Sequence, residues 1–303
     1  MGTTTSGFHA GELAVQRRAG VVADAARLAG MLATPRLDGG AATFLAQREF
    51  AVLTGRDEGG RLWTAPLPGA PGFLRARGTT LTVAATPART GPLAGLRPGG
   101  AVGLIALEFA IRRRLRVNGT LTAVGPDGCT VAADQAFGNC PSYIQRRALD
   151  LGGPPAVGAP AAVRAGLTAA HRAQIERADT FFLGTAHATG GVDTSHKGGL
   201  PGFVRVEAEG LWWPDYAGNN MFNSLGNIAD NPEAALLFLD FATGATLHLS
   251  GTAELEWVPP GGRGDDGGTG RRVRFRPSHI VEGPALPLRS GRSEPSPDNP
   301  ALR

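Results

Sequence analysis

The chain contains itself twice. Pro71-Gly72-Phe73-Leu74-Arg75 matches Pro201-Gly202-Phe203-Val204-Arg205 at an offset of 130, which also pairs Gly60 with Gly190, Thr64 with Thr194, Gly69 with Gly199 and Leu81 with Leu211. Leu115-Arg116-Val117-Asn118-Gly119-Thr120 then matches Leu247-His248-Leu249-Ser250-Gly251-Thr252 at an offset of 132. Two blocks in the same order, separated by a two-residue insertion, indicate a tandem duplication. The first unit covers residues 40–150 and the second 168–288, within a length of 303 that accommodates two medium domains.

Each unit reads as mainly β. Phe50 to Thr54 and Thr180 to Thr185 are short buried strands, each followed by a Gly-rich turn and a second strand through the Pro-Gly-Phe block. Thr79 to Ala84 alternates and is β-branched, and Gly210 to Trp213 is its looser partner. Ala101 to Leu107 and Ala234 to Leu239 are apolar runs of strand length, and Arg271 to Ile280 alternates again. Many short strands with regular turns predict small barrels. Flanking helices are expected at Gly11 to Leu32, within an N-terminal helical segment at 1–39, at Pro141 to Leu149, and at Thr168 to Arg177 with Thr168 as N-cap. Residues 151–167 read as a Gly/Pro/Ala linker, 259–270 as a flexible loop, and 289–303 as a disordered tail.

Basic side chains are almost all arginine: 29 Arg and one lysine, Lys197, inside Asp193-Thr194-Ser195-His196-Lys197-Gly198-Gly199. A composition that replaces lysine wherever arginine serves leaves its one lysine where a compact ammonium is needed and a planar guanidinium does not fit, unless Lys197 survives by chance. The net charge of +4 is modest, and the one tight cluster is Arg112, Arg113, Arg114 and Arg116. Alternation puts Arg114 and Arg116 on one face of a strand and Arg113 on the other, facing an anionic ligand or solvent.

Several function classes find no support. Nucleic-acid binding needs a longer basic stripe or a known motif. There is no Gly-x-Ser-x-Gly elbow, no Walker loop, no His-Glu-x-x-His, and no Gly-x-Gly-x-x-Gly between a strand and a helix. The six histidines do not cluster, and Cys129 and Cys140 show no metal-ligand spacing, so no metal is expected and both thiols read as reduced. No apolar run approaches a membrane span and no secretory signal is recognised, which makes the expected location cytoplasmic.

Several segments together resemble the pyridoxamine 5′-phosphate oxidase-like superfamily of FMN-binding split barrels. In the second unit they are Ser195 to Arg205, Trp213-Pro214-Asp215-Tyr216-Ala217-Gly218-Asn219-Asn220, Ser224, Asn227 and Asn231-Pro232. Phe137-Gly138-Asn139-Cys140-Pro141-Ser142-Tyr143-Ile144-Gln145-Arg146 and Phe8-His9-Ala10-Gly11-Glu12 are similar to a duplicated subgroup. The resemblance implies two tandem split β-barrels that pair within one chain as a pseudo-dimer, with the chain a monomer or a homodimer of such pairs. It implies an FMN-dependent oxidoreductase acting on a small molecule, with a reduced nicotinamide or an electron-donor protein as partner. FAD or a deazaflavin is the alternative cofactor, and a non-catalytic flavin, deazaflavin or haem carrier the alternative role.

A flavin phosphate needs cations, hydroxyls and close backbone N–H groups. Ser195, His196, Lys197 and Gly198 offer these, and Asn219, Asn220 and Ser224 lie where a strand should end and a helix begin. Plain structural roles stay open: a solvated turn for His196, turn formation for the two asparagines, and a helix cap for Ser224. Arg114, Arg116, Tyr143 and Gln145 of the first unit are candidates for the ring or substrate side; Trp63 could also approach the ring, but a core role is the preferred reading. Opposite Ser195, His196 and Lys197 the first unit has Ala65, Pro66 and Leu67, which carry no charge and no side-chain donor. One flavin per chain is the expectation.

Overall fold

The computed structural model describes residues 7–33, 35–152, 163–164, 166–189 and 191–302. The N-terminal segment forms α1 (Ala10–Ala19) and α2 (Val22–Ala26), then a 3-10 turn at Ala29–Leu32. It is broken rather than continuous because Gly20 takes the left-handed conformation that ends α1. Next come α3 (Gly40–Ala46) and seven strands: β1 (Phe50–Arg56), β2 (Leu62–Pro68), β3 (Leu74–Arg77), β4 (Thr80–Val83), β5 (Ala101–Glu108), β6 (Arg113–Gly125) and β7 (Gly128–Gly138). After β8 (Leu149–Asp150) and β9 (Val163–Arg164), α4 (Ala169–Arg177) opens the second unit. Thr168 caps α4 by accepting from the His171 N–H. The second unit holds β10 (Thr180–His187), β11 (Gly191–Gly198), β12 (Arg205–Val206), β13 (Leu211–Pro214), α5 (Asn223–Asp230), β14 (Glu233–Leu239), β15 (Thr246–Trp257) and β16 (Arg271–Gly283), and β17 (Arg289–Ser290) follows it.

The two sheets have the same strand order. The first runs β2-β1-β5-β6-β7-β4-β3 and the second β11-β10-β14-β15-β16-β13-β12, with β9 added at β16. Register agrees residue by residue: Leu53 faces Ala65 as Leu183 faces Ser195, and Leu104 faces Val117 as Leu236 faces Leu249. One bulge coincides as well, at Asn118/Gly119 and Ser250/Gly251, while the irregularity at Leu121/Ala123 belongs to the first unit alone. The protein is mainly β, with two split-barrel units and few helices, as expected.

The units pack on each other through equivalent strands, β11 on β5 and β6, β2 on β14 and β15. Thr194 Oγ1 donates to Thr54 Oγ1 and lies equally close, 2.7 Å, to the Gly103 carbonyl. Each barrel has its own apolar core, and a third cluster, including Phe50, Val52, Ile105, Phe182 and Leu237, joins them. Trp63 is core, as expected. That shared cluster drives the pairing, since each buried large side chain contributes roughly 1.5–3 kcal/mol. Among the described residues no helix is long and apolar enough to cross a membrane.

Five local expectations are corrected. The Pro-Gly-Phe blocks are turns after the second strand, not part of it: Gly72 and Gly202 have φ of 93° and 91°, which a strand does not accept. Pro141 to Leu149 is not a helix, because Tyr143 has φ 67° and the backbone of Arg146 pairs with Glu294. Residues 259–270 are organised by the buried Asp265 carboxylate, which accepts from the N–H groups of Gly261, Thr269 and Gly270. The segment after Leu288 is ordered: β17 pairs with β8, and Ser296 is buried. Of the expected linker, residues 153–162 and 165 lie outside the described residues, while β9 is a strand on β16.

Candidate functional site

Where β11 of the second unit runs against β6 of the first, a cleft opens. One wall is Ile105, Arg114, Arg116, Asn139, Cys140, Ser142 and Tyr143; the other is Ser195 to Gly198, Trp213 to Asn220 and Phe222 to Leu225. Ten of the eleven candidates named from sequence line it: Ser195, His196, Lys197, Gly198, Asn219, Asn220, Ser224, Arg114, Arg116 and Tyr143. The exception is Gln145. Its side chain is buried away from the cleft, bonded to Ser296 and Asn299 of the ordered tail and to the Tyr143 carbonyl.

The floor is a chain of polar groups crossing from one unit to the other. Arg116 donates to Ser195 Oγ, which lies 2.6 Å from Ser224 Oγ at the start of α5. Arg116, a candidate for the ring or substrate side, thus also bonds a hydroxyl of the second unit. Phe222 precedes α5 in a left-handed conformation and no side chain caps the helix, so its first N–H groups are free for an anion. Asn219 is turned inward on its own loop, accepting from the Met221 N–H, and Asn220 takes positive φ, so both also shape the turn.

Charge in the cleft is unbalanced. Arg116 pairs with Asp193 at 3.0 Å, and Asp215 is shared by Arg271 at 2.9 Å and Lys197 at 3.8 Å. Arg114 donates to His196 Nδ1 and to the carbonyls of His196 and Cys140, and among the described residues no carboxylate reaches it. Four cations thus stand against two carboxylates, an excess of two positive charges. Burial and the neighbouring Arg116 bring Arg114 down to about 10, which leaves it charged at neutral pH. Lys197 is lowered by burial, against the opposing pull of Asp215.

His196 is neutral. Burial lowers it well below its ordinary value, and Arg114, Arg147 and Lys197 add repulsion. Since a guanidinium only donates, Nδ1 must accept and Nε2 carries the proton, which has no partner among the described residues. Behind the floor, Asp193 also accepts from Asn118 and Asn227, and Asn223 donates to Glu12 of α1. Burial raises Glu12 to about 7.

Several participants were not singled out in the sequence: Asp193, Asp215, Arg271 and Tyr216. A signal existed for Asp193, since alternation puts Asp193, Ser195 and Lys197 on one face of β11. None existed for Arg271, which reaches Asp215 across 56 residues of chain.

A family sequence model described as pyridoxamine 5′-phosphate oxidase matches residues 167–260. Solved structures similar to the chain include HupZ of Group A Streptococcus, 16% identical over 40% of this chain and 98% of that one, TM-score 0.32. Another is HutZ, the haem storage protein from Vibrio cholerae, 16% identical over 37% of this chain and 91% of that one, TM-score 0.29. A third is a Clostridium acetobutylicum protein related to general stress protein 26, 17% identical over 40% of this chain and 89% of that one, TM-score 0.28. No curated protein matches the sequence. The family-model match falls on the second unit, from α4 through β15.

Proposed function

We propose that the protein is an FMN-dependent oxidoreductase that binds one FMN per chain in the cleft between its two units. The observation that carries this reading is the excess of two positive charges beside an uncapped helix and a pair of hydroxyls. A phosphate monoester dianion matches that charge. Arg114, Arg116, Lys197, Ser195, Ser224 and the start of α5 would hold the phosphate. The Nε2–H of His196 and the walls near Tyr143 and Tyr216 would face the rest of the ligand. FMN, when bound, supplies the hydride and electron chemistry, and the chain supplies orientation and electrostatics. No strong acid or base is then required of the side chains.

Duplication of one ancestral unit is part of this reading, supported by the shared strand order and register. One chain then provides both halves of a site that otherwise needs two. The electron donor proposed is a reduced nicotinamide or a small electron-carrier protein, and the substrate a small molecule.

Titrating FMN into apoprotein tests the proposal. A flavin spectrum at one equivalent, bleached by NADH or NADPH and restored in air, is the expected result. Two equivalents per chain, or none, would refute it. Binding without bleaching by any donor would make the protein a flavin carrier.

A further inference from the structure

The stretch that crosses the cleft mouth is held by a part of the chain outside both sheets. Tyr143 sits in a left-handed conformation that a tyrosine adopts only under constraint. Its N–H donates to Ser296 Oγ, and its carbonyl accepts from Gln145 Nε2. Gln145 is 2% exposed and spends its amide on this purpose, its Oε1 accepting from the Ser296 N–H and from Asn299 Nδ2. Arg146 and Glu294 exchange backbone hydrogen bonds and also pair through their side chains. Beyond that clamp the tyrosine reaches across the opening. Its hydroxyl donates to the Ala217 carbonyl on the opposite wall at 2.7 Å, and its ring lies 5.0 Å from that of Tyr216. The Tyr143 carbonyl also presses on the end of β11, where a Cβ at Gly198 would lie 2.0 Å from it.

The two ends of this bridge differ in kind. Gln145 and Ser296 are buried and multiply bonded, whereas the Tyr143–Ala217 contact is single and exposed. A single exposed hydrogen bond breaks far more readily than a buried network. We propose that Tyr143 is the gate of the cleft, and that Gln145, Ser296 and Asn299 are positioning residues that set its closed position. The mouth opens at Ala217 and hinges at the clamp, so the segment 293–299 controls ligand exchange without touching the ligand. This gate belongs to the site of the proposed FMN function, but the test below reads its opening without FMN as well.

The experiment compares wild type with Tyr143→Phe, Ser296→Ala and Ser296→Thr. Amide hydrogen exchange is followed in ligand-free protein at residues 139–146 and at the floor, 195–198 and 223–225. FMN dissociation is followed by stopped-flow fluorescence. Tyr143→Phe should accelerate floor exchange and FMN release about three- to ten-fold, the size of one lost hydrogen bond. Ser296→Ala should do the same and loosen 139–146, while Ser296→Thr keeps the hydroxyl and should behave as wild type. Unchanged exchange and release in both Tyr143→Phe and Ser296→Ala overturns the gate, as does faster exchange with unchanged release. Faster floor exchange in a protein that never binds FMN would support the gate and end the FMN reading instead.

Discussion

The two units bring together two equivalent sets of strand positions, and only one of them is charged. At the first, Arg114 and Arg116 of β6 face Ser195, His196 and Lys197 of β11. At the second, the equivalent positions are Thr246 and His248 of β15 against Ala65, Pro66 and Leu67 of β2. There His248 is buried, with Nδ1 2.8 Å from the Thr64 carbonyl and Nε2 3.2 Å from Thr246 Oγ1. Its neighbours satisfy it, and it asks nothing of a ligand. Arg114 is not satisfied in that way, because no anion in the described chain reaches it. A shared backbone sets which positions meet; the side chains left with uncompensated charge decide where an anion can bind.

The sharpest break of this comparison is Arg116→Ala. It strands Asp193 as a buried carboxylate without its cation, which should cost about 3–5 kcal/mol of stability and abolish FMN binding. His248→Ala at the equivalent position should leave FMN stoichiometry unchanged. Denaturant unfolding and FMN titration of both variants decide it; a binding loss in both would erase the distinction between the two sets of positions.

Next in size is a pH effect confined to the uncharged set of positions. Burial lowers His248 to about 4, from an ordinary value near 6.5. The native state therefore refuses a proton that the unfolded chain accepts. Its contribution is complete above pH 6.5 and is lost as pH falls toward 4, on the order of 3 kcal/mol at most. In His248→Gln the slope of stability against pH should flatten across that window. An identical slope in the variant would show that His248 is not the group that titrates.

Lys197→Ala should weaken FMN binding about 10- to 100-fold, as expected for losing a charge-assisted contact. Lys197→Arg should not restore it, since the larger fork must fit beside Arg114 and Arg271. Full affinity in Lys197→Arg would remove the significance given to the lone lysine. The smallest effect separates stability from binding. Thr168→Ala removes the cap of α4 and should cost about 1 kcal/mol with no change in FMN affinity. The equivalent helix α3 begins at Gly39 with no side-chain cap, so the first unit already lacks that contribution.

Much of this architecture is legible in the sequence because the information is local or repeated. The offsets of 130 and 132 survive in the structure as matching registers, and the contrast between Ser195-His196-Lys197 and Ala65-Pro66-Leu67 falls on aligned strand positions. The Thr168 cap is a one-turn signal. What misled was composition read without partners. Pro141 to Leu149 has a helical opening, yet its backbone is committed to residues 294 and 296. Residues 259–270 are rich in glycine, yet one buried carboxylate orders them. Gln145 sits beside Tyr143 in sequence and turns toward the tail instead of the cleft.

The sequence by itself determined that there are two similar β units, that they differ in charge at aligned positions, and that the second carries the residues suited to an anion. Those properties follow from side-chain type and spacing along one strand or one turn. Only the tertiary structure decided that Arg114 and Arg116 of one unit meet Ser195 and His196 of the other, and that Asp193 and Asp215 neutralise part of the charge but leave Arg114 uncompensated. It also decided that residues 293–299 hold Tyr143 across the opening. The reason is physical: net charge in a cleft is a sum over groups brought within a few ångströms by folding, and no spacing along the chain encodes which distant groups will enter that sum.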